Sequence, residues 1–294
     1  MSSRKNELTE NDKRWLILRA KISEENIKSA FRLFRENGIE PILIKGWAAA
    51  KEYPAVHLRH FSDIDLCVAP EEFEKSRRII AGERGSKLNI DLHKGLRHLD
   101  TVEWERLFQN SETVQIDDVQ VRILRVEDHL RILCVHWLTD GGAEREKLLD
   151  IYYLLANRAE RFDWTYCFEA IDPNRREWII KTVTLVHKYY PLEAAALPFD
   201  ADPKLLPGWF LKALEREWAS GTRLRDIIVF SDSRKELWGQ LKKRFRPNPI
   251  QSMILMEGRF EKTPRLFYQI GSFFMRLKLL VGKLLKSFKN NKTK

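Results

Sequence analysis

Acidic residues run out well before this chain does. Beyond Thr263 there is no Asp or Glu, while Arg265, Arg276, Lys278, Lys283, Lys286, Lys289, Lys292 and Lys294 all follow. With those eight set aside, the formal charge of +10 falls to +2, so the body of the chain is nearly balanced. A balanced body argues against a long nucleic-acid-tracking surface, which needs many phosphate-neutralising cations. Cysteine is equally sparse. The three present, Cys67, Cys134 and Cys167, are widely spaced and match no paired metal or redox motif. That pattern excludes a disulfide framework and predicts reduced thiols in the cytoplasm, with Cys67 filling core space. No apolar run is long enough to span a bilayer, and the polar N-terminus carries no secretion signal. A Gly-rich Walker loop, a defensible Ser-His-Asp order, a Cys/His metal cluster and internal repeats are also missing.

What is present begins with Arg59-His60-Phe61-Ser62-Asp63-Ile64-Asp65-Leu66-Cys67-Val68, soon after Lys45-Gly46. Side chains alternate along a strand, so Asp63 and Asp65 share one face while Ile64, Leu66 and Val68 point to a core. Carboxylates are disfavoured among apolar strand neighbours unless a cation answers them. Leu88-Asn89-Ile90-Asp91-Leu92-His93 repeats the alternation and supplies a third carboxylate. A strand carrying Asp91 beside the first one completes a site for two Mg²⁺ (or Mn²⁺) ions of the phosphoryl-transfer kind. A metal-free network, in which Asp63 and Asp65 pair with Lys45 and Arg59, satisfies the same charges.

The order of elements reads as helix 23–37, strand 41–45, helix 46–53, the Asp-x-Asp strand, helix 70–80, strand 86–93 and a hairpin over 113–124 turning at Asp117-Asp118. From Val126 the texture is helical, with a break at Gly141-Gly142 and a second helix over 143–157 that sets Lys147 and Asp150 on one face. Trp164, Trp178, Trp209, Trp218 and Trp238 lie in the following region and read as core aromatics. Leu266, Ile270, Phe273, Leu277, Leu280, Leu284 and Phe288 recur at intervals of three or four, with the lysines off that stripe. Such a basic amphipathic helix, over 264–289, suits an anionic membrane surface, a protein partner, or the protein's own helical lobe.

Lys45-Gly46, Tyr53, Arg59, Asp63-Ile64-Asp65-Leu66, Asp91-Leu92-His93, His136 and Leu148-Leu149-Asp150 together resemble a bacterial nucleotidyltransferase-like family of the DNA polymerase beta superfamily. The spacing of these motifs covers about the first half of the chain. It departs from the broader superfamily at the first strand–helix turn, where Lys45-Gly46-Trp47 stands in place of a Gly-Ser or Gly-Gly pair. The resemblance implies an α/β (α+β) fold: a small mixed β-sheet flanked by helices, then an α-helical lobe and the basic C-terminal helix. The corresponding divisions are 1–125, 126–250 and 251–294. It implies transfer of an NMP from an NTP, ATP first among them, to a hydroxyl acceptor, with Asp63, Asp65 and Asp91 as catalytic metal ligands. Lys45, Gly46 and Arg59 become nucleotide- or phosphate-binding residues, and His93, His136, Lys147 and Asp150 second-tier candidates. His93 shares the strand face of Asp91 and contacts a substrate or orients that carboxylate. For His136 and Asp150 the residues alone point more often to a core histidine bonded to a helix aspartate. The expected protein is a cytoplasmic enzyme, peripheral at the inner membrane surface if its tail binds lipid. The alternative is a non-catalytic nucleotide-binding or membrane-associated interaction protein on the same fold.

Overall fold

A computed structural model describes residues 9–96, 99, 102–158, 160–169, 171–220, 247–260, 265–275 and 278. The chain divides into two compact units, Met1–Leu133 with Leu149–Ile171, and Cys134–Leu148 with Asp172–Lys294.

The first unit is built on five strands: β1 (Ile42–Leu43), β2 (Ile64–Val68), β3 (Ile90–Lys94), β4 (Glu112–Ile116) and β5 (Val119–Ile123). Their order is β3-β2-β1-β5-β4, with β2/β3 and β1/β5 parallel and β1/β2 and β4/β5 antiparallel. This is the mixed sheet expected from the sequence. The hairpin β4–β5 joins through β1 and so lies on the opposite side of the sheet from β3.

Alternation assigns the two faces. Leu43, Ile64, Leu66, Val68, Val121 and Ile123 pack with Ile27, Phe31 and Phe34 of α1 (Glu10–Glu36). Ile42, Ile44 and Cys67 point the other way, toward Leu107 of α4 (Trp104–Asn110) and Ile132 of α5 (Val126–Thr139). Burial in that layer pushes the Cys67 thiol pKa well up, so the thiol is inert packing, as expected. Asp65 lies between Ile64 and Leu66 and so shares the Cys67 face of β2.

Helix α1 begins thirteen residues earlier than the periodicity predicts. Thr9 and Asp12 form a reciprocal capping box, the Asp12 N–H donating to Thr9 Oγ1 at 3.1 Å and the Thr9 N–H to Asp12 Oδ2 at 3.0 Å. The helix thus extends past the part that the core requires, and Trp15, Leu18 and Ile22 remain exposed on it. Helix α2 (Gly46–Ala50) is shorter than expected, and α3 (Phe73–Ala81) follows β2. Helix α4 was not anticipated: its N-cap, Glu103, makes no side-chain capping bond.

The 143–157 segment divides into a 3-10 turn, Arg145–Lys147, and α6 (Leu148–Ala156), followed by α7 (Trp164–Phe168). In the second unit, α8 (Pro173–Tyr189) and α10 (Pro249–Leu255) each start with proline after a capping Asp172 or Asn248. Between them lies α9 (Gly208–Ser220), and residues 265–275 are helical. The expected helical C-terminal lobe is therefore present. Trp178 is fully buried, Trp164, Trp209 and Trp218 are half-buried, and Trp238 falls outside the described residues.

Candidate metal centre

The parallel register between β2 and β3 aligns Asp65 with Asp91 and Cys67 with His93. Since every second residue shares a face, Asp65, Asp91 and His93 project together from two adjacent strands. One ligand atom from each lies within 4.8 Å of the others, the only such group of three among the described residues. His93 Nε2 is 3.0 Å from Asp65 Oδ1 and 3.3 Å from Asp91 Oδ2. Asp65 is buried, His93 half-buried and Asp91 exposed, so the group opens to solvent through Asp91.

Lys45 closes the buried side. Its ammonium donates to Asp65 Oδ1 at 2.6 Å. To bring it there the backbone takes φ +52° and ψ −138° at Lys45, a region few side chains adopt, at a cost of about 1–3 kcal/mol. Gly46 follows with φ +30°, and a Cβ on it would approach the Asp63 carbonyl oxygen at 3.5 Å and Asp65 Oδ2 at 3.9 Å. The Lys45-Gly46 turn is therefore fitted closely to the Asp63–Asp65 segment. Burial raises the Asp65 pKa, but the His93 hydrogen bond and the Lys45 charge outweigh it and hold the carboxyl below its ordinary value.

The other sequence-predicted residues are placed as follows. Asp63 is exposed on the bend before β2, outside the group of three, and His93 takes the third place in its stead. Arg59 is turned to Asp150: Nε donates to Oδ1 and Nη2 to Oδ2, both at 2.8 Å. Tyr53 Oη donates to the same Oδ1 at 2.7 Å. Burial disfavours the Arg59 charge, yet the bidentate Asp150 contact raises its pKa, while burial and then the Asp150 charge raise that of Tyr53. The expected use of Asp150, paired with His136, is thus replaced by a clamp on Arg59. His136 Nε2 lies 3.5 Å from Asp140 Oδ2 instead. Lys147 lies 3.5 Å from both Asp140 and Glu144, and His136 and Lys147 belong to the second unit, whereas Asp150 belongs to the first.

Sequence reasoning missed His129. Its ring is completely buried with Nε2 unpartnered, and it feels the charges of Lys51, Arg59, Asp65 and Lys45. Burial, then these cations, lower its pKa to about 3, so the imidazole is neutral. Its only sequence signal was a histidine three residues into an apolar helix, which periodicity cannot separate from packing.

Two carboxylates and an imidazole form a donor set suited to a divalent first-row cation, with the hard oxygens also accepting magnesium. The ammonium at 2.6 Å is the competing cation, since it already neutralises Asp65. Residues 10–89 match the sequence model of a family described as an uncharacterised nucleotidyltransferase. That match takes in Lys45, Gly46, Arg59, Asp63 and Asp65 and ends just before Asp91 and His93, a shorter reach than the motif spacing implied. No curated protein matches the chain.

Proposed function

We propose that this protein is a metal-dependent nucleotidyltransferase that moves an NMP from an NTP to a hydroxyl acceptor and releases pyrophosphate. The observation that carries the reading is the β2/β3 register, which assembles Asp65, Asp91 and His93 at one point in and beside a nucleotidyltransferase-like segment. Asp65, Asp91 and His93 would hold one divalent cation, Mg²⁺ or Mn²⁺, and Asp63, two residues earlier, is the further carboxylate that a second ion requires. Such an ion neutralises phosphate oxygens and lowers the pKa of a bound hydroxyl.

The chain's own groups supply the rest. Asp91, the exposed carboxylate of the group, would accept the acceptor proton. Lys45, once released from Asp65, reaches a triphosphate oxygen as charge develops on the leaving pyrophosphate. Arg59 keeps its fork on Asp150 and orders the approach to β2, with Nη1 directed to the His60 carbonyl oxygen at 3.4 Å. The acceptor pocket has no counterpart in these motifs.

A second reading is favoured by one observation. The 2.6 Å Lys45–Asp65 pair neutralises the buried carboxylate with no ion, as a non-catalytic nucleotide-binding protein would need. Calorimetric titration of Mn²⁺ and Mg²⁺, then of each NTP, into the intact protein and Asp65→Asn/Asp91→Asn decides between them. Metal-dependent NTP binding that the double variant loses supports the transferase. NTP binding of equal strength with and without metal, unchanged in the variant, supports the second reading.

A further inference from the structure

Residues 265–275 form a helix that is docked the wrong way round for a soluble protein. Its inward contacts are polar or small. Gln269 Nε2 donates to the Pro247 carbonyl oxygen at 2.8 Å, the buried Ser272 Oγ donates to Ser252 Oγ at 2.9 Å, and Tyr268 Oη accepts from the Arg259 N–H at 3.1 Å. The opposite arc carries Leu266, Phe267, Ile270, Phe273 and Phe274. Leu266 and Phe267 are each 65% exposed and Phe274 is 62% exposed. At 100° per residue these five span about 120° of the helix, a continuous apolar face. Folding ordinarily buries such a face against a core, and one left in water marks an interaction surface.

Charge indicates what covers it. From Thr263 to the last residue the sequence has eight Lys or Arg and no Asp or Glu. The other exposed apolar helix face, Trp15, Leu18 and Ile22 of α1, sits among charges of both signs, Glu10, Asp12, Lys13, Arg14, Arg19, Lys21, Glu24 and Glu25. Of these two faces among the described residues, the one over 265–275 combines exposed aromatics with a following sequence that has cations and no Asp or Glu. A segment whose sequence carries cations and no Asp or Glu suits an anionic lipid surface, which supplies both an apolar interior and negative headgroups. No helix among the described residues is long and apolar enough to cross a membrane, and a helix with one apolar and one polar face lies in the plane of the interface.

We propose that the outward face of residues 265–275 binds an anionic lipid surface, assisted by the lysine-rich sequence after it, which apart from Lys278 lies outside the described residues. This does not depend on the transferase reading. The test is co-sedimentation of the full chain with phosphatidylcholine vesicles, with and without phosphatidylglycerol, at two salt concentrations. Binding to the anionic vesicles alone, weakened by salt, is expected. Lys283→Ala/Lys286→Ala/Lys289→Ala should weaken it about a hundredfold, at about fivefold per charge. Phe267→Asp/Phe274→Asp should weaken it by a similar factor, since two buried aromatic side chains are withdrawn. Both phenylalanines are exposed, so the far-UV circular dichroism of that variant should be unchanged. Equal binding to both vesicle types, binding to neither, or unaltered binding by the Asp variant would overturn the proposal. So would concentration-dependent dimerisation, abolished by the same Asp variant, without vesicle binding.

Discussion

Lowering the pH should unfold this protein partly through one histidine. His129 on α5 is buried, its Nε2 has no hydrogen-bond partner, and Lys51 and Arg59 each bear on it more heavily than Asp65 does. Its pKa is lowered to about 3, against an ordinary value near 6.5. The folded state therefore leaves it neutral at pH 5, whereas the unfolded chain protonates it below about pH 6.5. A depressed histidine makes stability fall as pH falls, because the unfolded state binds the extra proton. Between pH 7 and pH 5 the loss attributable to His129 is about 2 kcal/mol, and it continues down to the folded pKa. His129→Leu removes both the titration and the unpartnered nitrogen. Urea unfolding followed by tryptophan fluorescence, at pH 7 and pH 5 in wild type and variant, isolates the contribution of this one ring. The fall in stability between the two pH values should be about 2 kcal/mol smaller in the variant. If both proteins lose the same stability within about 0.5 kcal/mol, the ring is protonated or solvated in the folded state and the reasoning fails.

The remaining predictions concern contacts near and away from the metal centre. Asp150→Ala strands the half-buried Arg59 fork and the Tyr53 hydroxyl and should cost about 3–5 kcal/mol in chemical denaturation. A cost below about 1 kcal/mol would mean that Arg59 readily turns elsewhere. Lys45→Met removes the ammonium that competes for Asp65, so Mn²⁺ alone should bind about tenfold tighter by calorimetry while NTP binding weakens. Looser metal binding in that variant would show Lys45 to be a supporting rather than a competing cation. Gly142→Ala places a Cβ 2.3 Å from Leu214 Cδ2 at φ +68°, so thermal denaturation should reveal a loss of about 2–4 kcal/mol. A melting temperature equal to wild type would mean that the turn after α5 relaxes freely.

Local pattern alone carried a good part of this molecule. The alternation through Ile64-Asp65-Leu66-Cys67-Val68 and Ile90-Asp91-Leu92-His93 determined both strands and put Asp91 and His93 on one face of theirs, because a strand's side-chain period is two whatever surrounds it. The Asp117-Asp118 turn and its flanking β-branched residues likewise marked the hairpin, although not the sheet edge it occupies. The start of the apolar stripe, Leu266, Ile270 and Phe273, was equally legible, while Leu277, Leu280, Leu284 and Phe288 lie outside the described residues; which side of that helix docks was not legible. Its inward face is held by hydrogen bonds from Gln269 and Ser272 to residues about twenty positions earlier.

Long-range choices belonged to the tertiary structure. Asp-x-Asp spacing nominated Asp63, but strand pairing brought His93 into the group, since β3 aligns with β2 from Ile64 onward and Asp63 falls on the bend before it. Arg59 and Asp150 are ninety-one residues apart, and the reason one takes the other is that Asp150 is buried and Arg59 half-buried, so that water poorly satisfies either charge. The short turn at Lys45 is the same case: a backbone conformation unfavourable in isolation is held because it carries an ammonium to a buried carboxylate. Sequence determined which side chains could act together along each element. Only packing decided which elements met, because burial and charge pairing are properties of neighbours distant in the chain.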